Sequence, residues 1–351
     1  MIKQWKNAAA AFLAVILLGT ACFFAIRTAQ NSRESASTIF VMDTAVSQRV
    51  YGANGQKAID AAEQTLREME SLFSLYRPES DIARLAASAG SGEAVAVDAR
   101  TYALLQEAKT LCKETDGAFR LTIAPLALAW GIATDAPRVP SQQEIDQYLP
   151  LINDDDLILH DGAACLRQAG QAVDLGGVAK GAACDAIKEL YDAYGIRSAL
   201  CWVGGSSIYA RGEKPDGTGW RLGFRDPSDE TASALASFEI RDAVFCTSGG
   251  YERYFEENGV RYHHILDPAT GYPVQTDILS VGVLSESGAA ADLWSTALFV
   301  QGTEKALEYF ANGGEGILLD DTGHIYVSKT LQSSFQLTAQ DADRYEVIFL
   351  P

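Results

Sequence analysis

Between residues 171 and 285 the chain reads as a series of short β-strand patterns with too few helices to alternate with them. This order restricts the fold more than any other feature. Apolar, β-branched and aromatic runs stand at residues 171–175, 198–203, 220–226, 236–245, 261–266 and 278–285. Helical periodicity intervenes at residues 178–194 and 288–301. A parallel doubly wound sheet needs a crossover helix after nearly every strand. The pattern therefore predicts an α+β fold of largely antiparallel, mixed sheets with flanking helices. Upstream, residues 55–75 form an amphipathic helix with Ile59, Ala62, Leu66, Met69 and Phe73 on one stripe, ended by Arg77-Pro78. A second helix, 98–114, has Asp98 as its cap and turns Leu104, Leu105, Ala108 and Leu111 inward. Residues 122–130 are apolar and buried around Pro125; a Pro-rich loop at 135–141 precedes a short helix at 142–148. No repeat, low-complexity tract or internal linker divides the chain, so residues 38–351 are expected to be one catalytic unit.

The N-terminus has a different character. Lys3 and Lys6 precede an uncharged run from Ala8 to Ile26 that Arg27 closes. A charged segment followed by an apolar one is the pattern of an export signal. Gly19-Thr20-Ala21-Cys22 resembles a lipoprotein cleavage box with Cys22 as the lipidated residue, while the apolar run continuing through Phe23 to Ile26 equally suits an uncleaved single-span anchor. Both place the catalytic part at the extracytoplasmic face of the cell membrane, with residues 1–29 as anchor and 30–37 as a polar linker. The formal charge of −18 excludes a nucleic-acid binder, which needs clustered Lys and Arg. A phosphate-bearing ligand must then be held by a local device. Cys112, Cys165, Cys184, Cys201 and Cys246 form no C-x-x-C pair and read as thiols packed in the core.

Four stretches carry chemistry. In Val173–Asp185, VDLGGVAKGAACD, an apolar strand runs through Gly176-Gly177 into a helix whose first turn holds Lys180. Glycines at a helix start let backbone amides approach an anion, and the lysine adds a point charge. A glycine-eased turn with a solvated lysine is the plainer reading. In ALCWVGGSSIYARG, Gly204-Gly205 follows a strand; close approach of a ligand and a simple hairpin explain it equally well. In Ala290–Gly302, Asp292 and Thr296 are one helical turn apart with Ser295 beside them, a hard-oxygen set suited to Mg²⁺, or else a cap and a back-bonded hydroxyl. Finally, Val244–Pro273 gathers Thr247-Ser248-Gly249-Gly250, the pair His263-His264 and the turn Asp267-Pro268-Ala269-Thr270-Gly271. A histidine beside a carboxylate can be poised as a base at neutral pH.

Taken together these stretches closely resemble the FAD:protein FMN transferases, the ApbE family. Met42-Asp43-Thr44 matches the family's Met-x-Thr, and Tyr76-Arg77-Pro78-Glu79-Ser80 its Tyr-Arg-Pro-x-Ser turn. The family's Asp-Leu-Gly-Gly-x-Ala-Lys-Gly element stands at Asp174 to Gly181. The Thr-Ser-Gly, His-x-x-Asp-Pro-x-Thr-Gly and Ala-Asp-x-x-x-Thr elements follow in order, so the resemblance spans residues 40–302. It implies FAD contacts from Met42, Tyr76, Asp174, Lys180 and the backbone around Leu266, with Ala118, Phe119 and position 120 lining the flavin pocket. It implies a Mg²⁺ site from the Gly177 carbonyl with Asp292, Ser295 and Thr296. Two positions depart from the pattern. Arg120 stands where the family commonly has Asp, which puts a contact from that position in doubt, and Asp43 stands where Gly is usual. The implied reaction moves FMN from FAD to a Thr or Ser hydroxyl of a partner protein and releases AMP; His264 is the candidate to accept the hydroxyl proton, with Asp267 as orienter or alternate base. Two alternatives keep the same site: a Mg²⁺-dependent FAD pyrophosphatase, and a non-catalytic, membrane-tethered flavin-binding lipoprotein. No Ser/Thr-Gly-Ala-Thr acceptor segment occurs in the chain, so the acceptor is expected to be another protein, an extracytoplasmic electron-transfer protein.

Overall fold

A computed structural model describes residues 33–132, 134–227, 234–339 and 341–351. The expected anchor, residues 1–29, lies outside the described residues. Among the described residues no helix is long and apolar enough to cross a membrane. Residues 34–37 of the expected linker are already strand.

Among the described residues nine strands form one sheet: β1 (Glu34–Val41), β2 (Thr44–Tyr51), β3 (Ser198–Val203), β4 (Ser207–Gly212), β5 (Ala243–Ser248), β6 (Ile278–Ser285), β7 (Glu315–Asp320), β8 (His324–Val327) and β9 (Glu346–Phe349). Their order in space is their order in the chain. Neighbours are antiparallel except for β8 and β9. Alternation along the strands divides the core into two layers. Ala199, Cys201, Val203, Val244, Cys246 and Leu318 pack with the helices α1 (Gly55–Phe73), α2 (Ala179–Ala193) and α3 (Gly288–Gln301). Leu200, Phe245, Ile317 and Leu319 pack instead with residues of the strands Trp220–Arg225 and Ala234–Ile240. The α+β, mostly antiparallel expectation holds.

Local signals explain most elements. Ile59, Ala62, Leu66, Met69 and Phe73 are all buried on α1. Asp98 caps its helix by accepting from Arg100 N, and helix Gln142–Tyr148 starts from a capping box between Ser141 and Glu144. Two expectations fail. Residues 236–245 are not one strand: the chain turns at Arg241-Asp242, where Asp242 has φ +47°, and the two halves join different sheets. Aspartate tolerates that left-handed backbone, so the turn leaves no glycine to reveal it. Residues 171–175 form no strand either. Their extended backbone is held by side bonds, such as Asp174 N donating to Leu121 O at 2.8 Å, and leads straight into α2. The five cysteines named above are free thiols, four of them buried, as expected.

Candidate active site

Two helices crossing at glycines set the site. A Cβ on Gly181 of α2 would lie 1.9 Å from Gly288 O, and one on Gly288 of α3 would lie 2.2 Å from Gly181 O. Only glycine allows that approach. The helices then satisfy each other's free amides. Asp185 accepts from Gly288 N at 2.7 Å and Ala289 N at 2.9 Å, and Asp292 Oδ2 accepts from Gly181 N at 2.9 Å. Asp292 is therefore not the cap of its own helix; Ser287 fills that position, accepting from Ala290 N. Around the buried Asp292 lie hydroxyls. Thr296 Oγ1 donates to Asp292 O at 3.3 Å and stands 3.2 Å from Ser248 Oγ. Ser295 Oγ donates to Asp292 O at 2.9 Å and also meets Ser248 Oγ at 2.9 Å. A Cβ on Gly177 would lie 3.5 Å from Thr296 Oγ1 and 2.7 Å from the ring of Phe119, so this position brings bare backbone to the cluster.

The cluster opens into a cavity of about 490 Å³. Of the residues assigned to the site from the sequence, Asp267 and Ser295 do not line it, whereas Met42, Tyr76, Ala118, Phe119 and Arg120 do, as do Asp174, Gly177, Lys180, His264, Leu266, Asp292 and Thr296. Met42 enters from the β1–β2 turn, where Met42 and Asp43 both have positive φ (56° and 54°) and Met42 N donates to Glu70 Oε1. Both central residues of such a two-residue hairpin turn must be left-handed. Asp43 is thus a tolerated replacement for glycine. Asp174 Oδ1 accepts from Gly176 N at 2.7 Å, and Lys180 Nζ donates to Gly176 O at 3.2 Å. Burial raises the Asp174 pKa, opposed by the Gly176 amide and the charges of Lys180 and Arg253. One expectation is corrected here. The amides of Val178 and Ala179 donate to Leu175 O and that of Gly181 to Asp292, so these three are not available to an anion. Lys180, Arg253 and Arg120 bring cations to the same cavity.

The paired histidines divide at the end of the strand Val260–His263. His263 is buried, with Nε2 donating to Val274 O at 3.1 Å and Nδ1 accepting from Ile265 N at 3.3 Å. Both nitrogens are used internally. His264 Nδ1 lies 3.2 Å from Arg253 O; a carbonyl only accepts, so Nδ1 carries the proton and Nε2 the lone pair. The ring opens onto cavity solvent and is walled by protein elsewhere. Loss of solvation, then the charges of Lys180 and Arg253, push its pKa down to about 3, so the imidazole is neutral at pH 7. Asp267, expected to orient His264 or stand in for it, does not line the cavity. Its Oδ1 accepts from Ala269 N at 2.8 Å and its Oδ2 from Thr270 Oγ1 at 3.0 Å, so it closes its own turn. The group that orients His264 is the Arg253 carbonyl. Ser248 and Arg253 were not assigned to the site from sequence: Ser248 lay within the Thr-Ser-Gly element, whereas Arg253 reads as an ordinary hairpin charge.

Because burial lowers the pKa of His263, the unfolded chain binds a proton that the folded chain does not once pH falls below the ordinary imidazole value of about 6.5. Its contribution to stability is present above that pH and is lost on acidification. The unfolding midpoint is expected to fall between pH 7 and pH 5, and His263→Gln should flatten that slope. An unchanged slope in the variant would contradict the burial of a neutral His263.

Among the described residues no group of three or more His, Cys, Asp or Glu side chains could hold a metal. One buried carboxylate with hydroxyl and carbonyl oxygens instead suits a hard cation that keeps water and takes further oxygens from a phosphate. A model of the ApbE family matches residues 42–318. The FAD:protein FMN transferase of Treponema pallidum is 35% identical over 293 residues, 78% of this chain and 80% of that protein. The FAD:protein FMN transferase of Klebsiella pneumoniae is 35% identical over 245 residues, covering 69% and 75% respectively. Among solved structures, the ApbE protein of Thermotoga maritima is similar with a TM-score of 0.78 and 30% identity, over 85% of this chain and 98% of that one. The flavin transferase ApbE of Vibrio cholerae is similar with a TM-score of 0.76 and 27% identity, over 86% and 100%.

Proposed function

The chain belongs to the ApbE family, and from that membership we propose that it transfers FMN from FAD to a Thr or Ser hydroxyl of an acceptor protein, releasing AMP with Mg²⁺ as its metal. The carrying observation is one cavity that holds the Asp292–Thr296–Ser248 oxygen cluster, the cation of Lys180 and the neutral imidazole of His264.

Phosphoryl transfer asks mainly for positioning and for neutralised charge. Lys180, Arg253 and Arg120 supply cations for the pyrophosphate, and Phe119, Ala118, Tyr76 and Met42 offer apolar surface to the planar flavin. Asp292, Thr296 and the Gly177 carbonyl would hold Mg²⁺, with Ser248 as a further hydroxyl; when bound, the ion neutralises pyrophosphate charge and polarises the phosphorus. The fit rests on Asp292, whose Oδ2 is steadied by Gly181 N in a buried setting. Ser295 stands behind, bracing Ser248 and the Asp292 carbonyl. In the transfer, the acceptor oxygen bonds to the FMN phosphorus, the bond from that phosphorus to the AMP phosphate oxygen breaks, and the hydroxyl proton passes to His264 Nε2. FAD phosphates beside Lys180 and Arg253 offset the cations that depress His264, so binding of the substrate raises its basicity.

Lys180→Ala is expected to weaken FAD binding about ten- to a hundredfold, the loss of one charge-assisted phosphate contact, at unchanged melting temperature. Unchanged affinity with a lowered melting temperature would reduce Lys180 to its bond with Gly176 O. Product analysis tests the reaction: with acceptor present, AMP should appear without matching free FMN. Equal AMP and free FMN would instead identify water as the nucleophile. The basic and apolar pattern at residues 3–27 supports export and membrane tethering. The full chain should sediment with membranes, and one beginning at Ser32 should not.

A further inference from the structure

The turn Gly204-Gly205-Ser206 between β3 and β4 borders the cavity beside Thr44, Thr247 and Glu252, and nothing above uses it. The other glycines of the cavity wall have internal reasons to be glycine. A Cβ on Gly177 would strike Phe119 at 2.7 Å, and one on Gly249 would strike the Tyr251 ring at 2.2 Å. Gly204 has φ +69° and a Cβ there would lie 2.7 Å from Thr44 Oγ1, while one on Gly176 would press on Asp174 Oδ1 at 3.0 Å. Gly205 has no such reason. Its backbone is outside the left-handed region, and a Cβ would meet only the Glu252 carboxylate, at the ordinary contact distance of 3.8 Å. The fold would accept a side chain at this exposed position, yet the wall is bare there.

Bare backbone at a binding cleft admits the backbone of a ligand. We propose that Gly205 is the point where an extended segment of the acceptor protein crosses the mouth of the site, its main chain against the Gly205 backbone and its Ser or Thr hydroxyl directed inward. This rests on the transferase reading and specifies where its second substrate lies. The surroundings fit a peptide better than a phosphate: the hydroxyls of Thr44, Ser206 and Thr247 and the carboxylate of Glu252 can accept peptide N–H groups, and Arg225 is already paired with Glu252 at 3.4 Å.

The test is Gly205→Val, assayed with FAD, Mg²⁺ and a purified acceptor domain carrying a Ser-Gly-Ala-Thr segment. Transfer at low acceptor concentration is expected to fall about ten- to a hundredfold, through a raised KM for the acceptor. FAD affinity, read from flavin fluorescence, should stay within about twofold of the parent, the expectation for a contact that only the acceptor makes. Gly205→Ala should show the same direction with a smaller loss, and serves if the valine variant does not fold. Undiminished transfer in a folded Gly205→Val protein overturns the proposal, as does a loss of FAD affinity that parallels the loss of transfer. If the parent chain binds FAD yet never modifies the acceptor, the transferase reading falls and this proposal with it, an outcome distinct from transfer that ignores position 205.

Discussion

Asp292→Asn is expected to lower metal-dependent FMN transfer by about two to three orders of magnitude while leaving the fold intact. Asp292 is the one carboxylate among the proposed metal-holding groups, so its negative charge has no substitute there. The asparagine oxygen can still accept from Gly181 N, which preserves the crossing of α2 and α3. Asp292→Ala is a coarser probe, since it also orphans a buried amide at about 1–3 kcal/mol and mixes stability with chemistry. Thr296→Ala should do less, because water can replace a neutral hydroxyl. Transfer by the asparagine variant within a few-fold of the parent at ordinary Mg²⁺ would place the metal elsewhere.

His264→Ala is expected to remove about a hundred- to ten-thousandfold of the transfer rate at saturating FAD, the range a positioned base contributes, with FAD binding retained. His263→Ala should show the opposite pattern. It strips Val274 O and Ile265 N of their partner in the interior, so it should lower the melting temperature while leaving most of the rate of the folded fraction. Rates at saturating FAD and melting curves for both variants decide the matter. Equal, modest rate losses would remove His264 as the proton acceptor and leave Asp267 as the alternate base.

The fold class was legible because it depends on local patterns, whereas Met42, Tyr76, Ala118, Phe119 and Leu266 were placed in the candidate site only by the family resemblance. The α1 stripe, the Asp98 cap and the turn of four between Asp292 and Thr296 are short-range signals, and each holds in three dimensions. What sequence missed depends on non-local placement. That the Gly181 amide at the start of α2 is already taken was not legible, because the group that takes it, Asp292, lies 111 residues away. Asp267 lies close to His264 along the chain, yet both its carboxylate oxygens accept bonds from its own turn and it does not line the cavity. Arg253 orients His264 through its carbonyl, which every residue has, so no residue-type pattern could have marked that contact. The strand expected at 236–245 failed for the related reason that an aspartate can turn the chain as a glycine does.

The most direct measurement is the intact mass of a purified acceptor domain after incubation with this chain and FAD, with Mg²⁺ or with a chelator. The expected result is an acceptor heavier by one FMN moiety, found only with Mg²⁺, with AMP released in equal amount and no adduct when the acceptor's Thr or Ser is replaced by Ala. An acceptor of unchanged mass alongside FAD consumed to free FMN and AMP, or an adduct formed equally well under the chelator, would contradict it.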